Sequence, residues 1–368
     1  MSRDAPNPPP APHILRGHAS DVQCAAFDPR FGADVLETGD ADGALVRWDV
    51  RSRREISRTR AHGPSSGTLA ITAIERDAVS PASVDADARS RAWTCATQGR
   101  DGSVKFWRRG ETREAAPREI PDRAIRGETY GFCRIASDGC GLIARAACSR
   151  GSVSVERAET GERACACRAV GSEESESEGE RAGVVFCVAF VRSTHLIAGY
   201  EDGTVVIWAL NFETGVGEIA FRRRMHAEAV LCVDVDASGE GFVTGGADGA
   251  LVRYVIDVST SPLTCDVVRA HAPYSDVVSA SCKQPGVSAC SIRSDGKIVA
   301  SGCWDGNIRV YEYKVKSKGR LLAVLKHHQS TVTAVLFAPD DSFLVSTSRD
   351  GAVALWPIFP PTVNRGLV

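Results

Sequence analysis

Three histidines, His18, His226 and His328, are each followed by valine four residues on and by an Asp-Gly turn 22 to 24 residues on. In the last set Ser348 and Asp350 accompany His328. These are the residue types of a serine nucleophile, an imidazole base and an orienting carboxylate. A hydrolytic triad would occur once, but here the slots recur as His18 with Asp42 and as His226 with Asp248, and Asp40 takes the place of the serine in the first. An aromatic residue also follows each of these Asp residues by six positions: Trp48, Tyr254 and Trp356. Recurrence of this kind implies structural partners rather than a reaction centre. Each imidazole, carboxylate and indole needs a hydrogen bond once buried, and a satisfied set fixes the geometry around it. The sets are His328, Ser348, Asp350 and Trp356 at the C-terminal end, and His18, Asp42 and Trp48 near the start. No phosphate loop or H-E-x-x-H motif is present. Cys165 and Cys167 are the closest cysteine pair and lack a second pair or a nearby His, so no metal and no cofactor are expected. No catalytic residue is assigned, and the chain is not expected to be an enzyme.

Short strands joined by tight turns would position such sets. Leu321 to Trp356 shows the unit most clearly, as LLAVLKHHQSTVTAVLFAPDDSFLVSTSRDGAVALW. Leu322 to Leu325, the segment marked by Val332, Val335 and Phe337, Phe343 to Thr347, and Ala352 to Trp356 read as four antiparallel strands separated by Pro-Asp-Asp and Arg-Asp-Gly turns. Four strands of this length cannot bury two faces alone, so the unit must stack on copies of itself. The copies are marked by Asp42/Trp48, Asp101/Trp107, Asp202/Trp208, Asp248/Tyr254, Asp305/Tyr311 and Asp350/Trp356, with a degenerate copy at Arg150-Gly151 and Glu156.

This pattern resembles the WD-repeat family, whose repeats form the four-stranded blades of a β-propeller. The resemblance implies that the recurrent residues form one hydrogen-bonded network, expected at His328, Ser348, Asp350 and Trp356 and at His18, Asp42 and Trp48. Seven copies imply an all-β, seven-bladed propeller over residues 13–357. The family's offset between repeat and blade implies that Ile14 and Leu15 pair beside Ala352 to Trp356 and close the ring, removing an exposed sheet edge. The third copy is the most divergent, with strands expected at Phe132 to Ile135, Leu142 to Ala147, Val153 to Glu156 and Ala164 to Arg168. Residues 1–12 are Pro-rich and expected to be disordered, and residues 358–368 to form a loose tail. Glu75 to Arg91 and Ala272 to Gly286 read as inserted loops. The segment 171–180, GSEESESEGE, has no apolar residue and is expected to be a disordered acidic loop. Ser175 and Ser177 each precede Glu by three residues and are candidate phosphorylation sites.

The resemblance also locates a binding face. In WD-repeat propellers the residue before each turn Asp lies near the central channel, which marks Arg100, Glu201, Trp304 and Arg349 as candidate protein contacts; Trp and Arg are enriched in interface hot spots. Further stretches narrow the resemblance: IAGYEDGTVVIW from Ile197, GFCR from Gly131, ASGCWDGNIRV from Ala300 and LAVLKHHQSTVTAVLF from Leu322. They are similar to an ASTRA-associated, G-protein β-subunit-like branch of the family. That likeness implies a noncatalytic subunit, a monomer within a larger complex, acting with the Tel2–Tti1–Tti2 co-chaperone in maturation of phosphatidylinositol-3-kinase-related kinases and in chromatin remodelling. Its expected location is the nucleus and cytoplasm. The alternative is a substrate receptor of a ubiquitin ligase or a histone-tail reader, which would need an acidic channel mouth.

Bulk properties agree with a protein-binding platform. A hydrophobic content of 43% suffices for a core, and a net charge of −2 gives no drive toward nucleic acid or a membrane surface. No apolar run reaches membrane-span length. Thirteen cysteines, an odd number scattered through expected strands, read as reduced thiols rather than a disulfide framework.

Overall fold

A computed structural model describes residues 10–74, 95–108, 112, 120–126, 131–168, 183–257, 263–271, 286–313 and 319–358. Residues 1–9 of the expected Pro-rich start, the acidic loop, residues 359–368 of the tail, the first insertion and all of the second but Gly286 lie outside the described residues. The rest is a ring of antiparallel sheets. Val22–Phe27, Val35–Asp40, Ala44–Asp49 and Arg54–Arg60 form the first, and Ala70–Ala73, Cys95–Gln98, Val104–Trp107 and Arg123–Ile125 the second. Val230–Val235 to Thr264–His271 and Val287–Ile292 to Leu321–Lys326 form two more. The last contains Val332–Phe337, Leu344–Ser348, Val353–Trp356 and, from the other end of the chain, His13–Leu15.

That final pairing joins the chain ends, with His13, Ile14 and Leu15 opposite Leu355, Ala354 and Val353. Leu15 is 1% exposed, packed with Val22, Leu36 and Trp48 of the first sheet and Val345 and Val353 of the last. Comparable clusters fill the space between other neighbouring sheets, such as Val191, Ile207, Val230, Phe242 and Tyr254.

The expectation of seven separate blades is corrected. The described strands form five four-stranded sheets and one eight-stranded sheet. In the latter, Ala136–Ser137, Leu142–Ala146, Ser152–Arg157 and Arg163–Arg168 run on into Val216–Arg224, Thr204–Asn211, His195–Tyr200 and Val185–Val191. The two halves join through the parallel pair Ala166↔Val216, supported by a 2.9 Å bond from the Ala166 N–H to the Gly215 carbonyl. Glycine makes this approach possible: Gly215 has φ +69°, and a Cβ on Gly217 would lie 2.6 Å from Cys167 Sγ. Phe132–Ile135 is also not a strand. The Gln98 side chain satisfies that backbone instead, accepting from the Ile135 N–H at 2.8 Å and donating to the Cys133 carbonyl at 3.0 Å. The paired strand begins only at Ala136.

The recurrent polar residues form buried chains of one design. In the first sheet Trp48 Nε1 donates to Thr38 Oγ1 at 2.7 Å, His18 Nε2 lies 2.6 Å from the same hydroxyl, and His18 Nδ1 lies 2.8 Å from Asp40. In the last sheet Trp356 Nε1 and His328 Nε2 meet Ser346 Oγ at 2.9 and 2.8 Å, and His328 Nδ1 lies 3.1 Å from Asp350. His226, Thr244, Tyr254 and Asp248 repeat the arrangement, as do His62, Thr97 and Trp107, where Ser103 stands between His62 and Asp101. A carboxylate only accepts, so Nδ1 carries the proton where it faces Asp. Nε2 then accepts from a hydroxyl, and in the first and last sheets that hydroxyl's oxygen accepts from the indole. Every group is satisfied in that tautomer.

Two expected members are corrected. Ser348 is not the linking hydroxyl: its Oγ donates to the Ser330 carbonyl and accepts the Asp350 N–H, because it sits at the turn, one pleat too far from the indole. Ser346 takes that role. Asp42 is exposed, and Asp40 binds His18 while also accepting the N–H groups of Asp42 and Ala44. The hydroxyls of Thr38, Thr97, Thr244 and Ser346 belong to residues that are 0% exposed, so no substrate could reach them as nucleophiles. The divergent copy replaces the chain with an ion pair, Arg145 to Glu156 at 2.8 Å, with Ser154 donating to the same carboxylate.

These assignments predict energetic coupling. A double-mutant cycle on Ser346→Ala and Trp356→Phe, read from chemical denaturation, should give about 1 kcal/mol of interaction, whereas Ser348→Ala with Trp356→Phe should stay below about 0.5 kcal/mol. A second prediction concerns pH. Burial lowers His62 from 6.5 to about 4, helped by nearby Lys105 and opposed by Asp101. The unfolded chain therefore binds the extra proton between those values, so His62 makes folding less favourable as pH falls from about 6.5 to 4. The stability of the wild type minus that of His62→Gln should decline across this window by up to about 3 kcal/mol. Asp234, raised to about 7 by burial, titrates with the opposite sign but is common to both proteins and cancels. A flat difference would contradict the His62 assignment.

Candidate functional site

The innermost strands surround a central channel, and a recurrent irregularity decides what faces it. In five inner strands the register shifts after the first residue, leaving Gln23, Phe186, Leu231, Ser288 and Thr333 unpaired. All five line the channel cavity, about 440 Å³ in volume. A bulge adds a residue and re-aims its side chain, so the inner strands present side chains to the channel while their flanking valines stay buried between sheets.

The residues preceding the turn aspartates are fixed by one backbone bond used in each sheet. The N–H groups of Ala41, Arg100, Glu201, Ala247, Trp304 and Arg349 donate to the carbonyls of Asp21, Ser66, Val184, Ala229, Gly286 and Thr331. The adjoining Asp-Gly glycines need positive φ: Gly43 and Gly203 stand at +86° and +88°, and a Cβ on either would meet the carbonyl of His62 or His226 at 2.1 Å. Of the four expected contacts, Arg100, Trp304 and Arg349 line the cavity. Trp304 is half-buried over Gly286, where an added Cβ would lie 2.2 Å from the indole. Arg349 is exposed. Glu201 lies apart: its carboxylate accepts from Arg150 and from the Val184 N–H, both at 3.2 Å, and these partners hold its pKa low. Ser175 and Ser177 lie outside the described residues.

Sequence reasoning missed Arg134, although it falls within the GFCR stretch. From a non-strand segment it reaches across the channel, where Nη2 donates to the main-chain carbonyls of Gln23 at 2.9 Å and Thr333 at 2.8 Å. Burial lowers its pKa. A pattern search keyed to turn aspartates passes over it because its role depends on residues 111 and 199 positions away. His62 escaped for a related reason: the insertion after Ile74 stretches its distance to Thr97 to 35 residues. The segment Gly63 to Gly67, GPSSG, satisfies the G-x-S-x-G pattern, but it is a turn between two strands and lacks the strand-to-helix elbow that exposes a nucleophile.

Among the described residues no group of three or more His, Cys, Asp or Glu stands together as a metal site. The described cysteines are free thiols. Burial raises Cys24 and Cys133 to about 12, which keeps them protonated and unreactive.

A ring of antiparallel sheets about a channel, pinned by repeated His–hydroxyl–aromatic chains, defines a β-propeller. The family model for the WD domain, G-beta repeat, matches residues 172–209, 276–312 and 319–357, so these three segments are similar to WD40 repeats. It is 26% identical over 366 residues to guanine nucleotide-binding protein subunit beta-like protein 1 of Mus musculus, covering 96% of this chain and 98% of that protein. It is 27% identical to ASTRA-associated protein 1 of Verticillium alfalfae, covering 92% and 81%, and 25% identical to that of Schizosaccharomyces japonicus, covering 94% and 98%. The β-propeller domain of Cps50 (Swd1) from Myceliophteria thermophila superposes with a TM-score of 0.73 over 95% of this chain and 99% of that one; at 14% identity the likeness is one of fold.

Proposed function

We propose that this chain is a noncatalytic protein-interaction scaffold that serves in an ASTRA-type assembly. In that role it acts with the Tel2–Tti1–Tti2 co-chaperone in maturation of phosphatidylinositol-3-kinase-related kinases and in chromatin remodelling, in the nucleus and cytoplasm. The observation that carries this reading is similarity along more than nine-tenths of the chain to proteins named ASTRA-associated protein 1. The site agrees with it. The repeated polar sets are sealed structural chains, while an aromatic and three arginines converge on a channel mouth. The histone-tail alternative needs an acidic mouth for a basic peptide, and the described lining contains no carboxylate. Affinity purification of the tagged chain from its own cells, followed by mass spectrometry, tests the reading. Tel2, Tti1 and Tti2 should be recovered together, and depletion of the chain should lower the related kinases. Recovery of none of the three would refute the assignment and leave only the propeller.

A further inference from the structure

Four arginines elsewhere in the described interior are paired with acids. Arg47 meets Asp28 at 2.9 Å, Arg309 meets Asp305 at 2.7 Å, Arg145 meets Glu156 at 2.8 Å and Arg293 meets Asp295 at 2.7 Å. The channel differs. Arg100, Arg134 and Arg349 all line one cavity whose described lining holds no Asp or Glu; its polar members are Gln23, Ser288, Thr331 and Thr333. Among the described residues the Arg100 guanidinium reaches only Gln23 Oε1, at 3.4 Å. Arg134 is held by two neutral carbonyls through a single nitrogen, which leaves its other N–H groups directed to no carboxylate among the described residues. Arg349 is anchored through its main chain, with its side chain exposed. A half-buried cation without a counter-ion is costly, so Arg100 and Arg134, with the exposed Arg349 beside them, call for an anion from outside.

We propose that the channel mouth is a receptor for an acidic peptide segment of a partner protein, whose carboxylates bridge Arg100, Arg134 and Arg349 beside Trp304. Arginine suits this role because its planar fork binds a carboxylate through two parallel hydrogen bonds. The attraction is strengthened where channel walls exclude water. Trp304, seated on Gly286, offers an apolar surface for a side chain flanking the acidic residues. The cavity's size selects an extended segment: a helix 10–12 Å across would fill about 440 Å³ within roughly one turn. This inference rests on the scaffold reading and gives it a partner chemistry.

The test uses the full chain and a fluorescein-labelled twelve-residue peptide of Asp and Glu around a central Leu, read by fluorescence anisotropy. A second peptide replaces every acid by Asn or Gln. The acidic peptide should bind, more weakly as salt rises, and the neutral one should not. Arg100→Glu with Arg349→Glu should weaken binding at least tenfold without changing the melting temperature; these side chains, unlike Arg134, do not brace the ring. Absence of binding to the wild type, or equal binding to the double variant, would overturn the proposal. Displacement of the peptide by an equal concentration of a twelve-nucleotide poly-uridine would also overturn it, in favour of a nucleic-acid groove. The two readings fail separately. If the wild type binds the peptide but recovers no co-chaperone, the scaffold assignment falls and the acidic site stands; loss of peptide binding with co-chaperone recovery intact does the reverse.

Discussion

Closure of the ring by three residues near the start of the chain is the constraint on which the rest depends. Without His13–Leu15, the strand Val353–Trp356 would present an unpaired edge, and Leu15 would leave a gap between Trp48 and Val345. Closure also brings the first and last sheets close enough for Thr333 Oγ1 to donate to the Val22 carbonyl and for Arg134 to bond to both Gln23 and Thr333. The channel is therefore a product of closure, and its most buried cation is part of the brace. Structure and candidate function meet at Arg134.

Within that ring two kinds of polar chemistry are kept apart. Between sheets, His, Thr or Ser, and Trp or Tyr form closed chains whose members are nearly all below 10% exposed. Their donors and acceptors are matched, so they stabilise geometry and offer nothing to a ligand. Around the channel, Gln23 Nε2 and the guanidinium groups of Arg100 and Arg134 carry unmet hydrogen-bonding capacity among the described residues. That contrast explains why a chain with a net charge of −2 can present a locally cationic mouth.

Much of this was legible in the sequence because β-structure writes its period and turns locally. The Asp-Gly markers located the strands that precede and follow them, and Ile14 and Leu15 paired beside Ala354 and Val353 as the repeat offset implied. What escaped depended on distance or on a single pleat. Ser346 and Ser348 share a strand face and both carry hydroxyls, so composition could not choose between them, and indole reach did. Asp40 and Asp42 pose the same ambiguity, and Asp40 won because it also accepts two turn N–H groups. The fusion of two sheets rested on Gly215 and Gly217 in an outer strand, where no marker points. Arg134 lies outside any repeat position, and only the closed ring gives it partners.

Native-state hydrogen exchange on the full-length chain tests the central claim, that a short N-terminal strand locks the ring. The account predicts that the amides of His13–Leu15 are protected as strongly as those of Val353–Leu355 and open together with them, in the same cooperative unit as the first and last sheets. Free exchange at His13–Leu15 while Val353–Leu355 stays protected would contradict it.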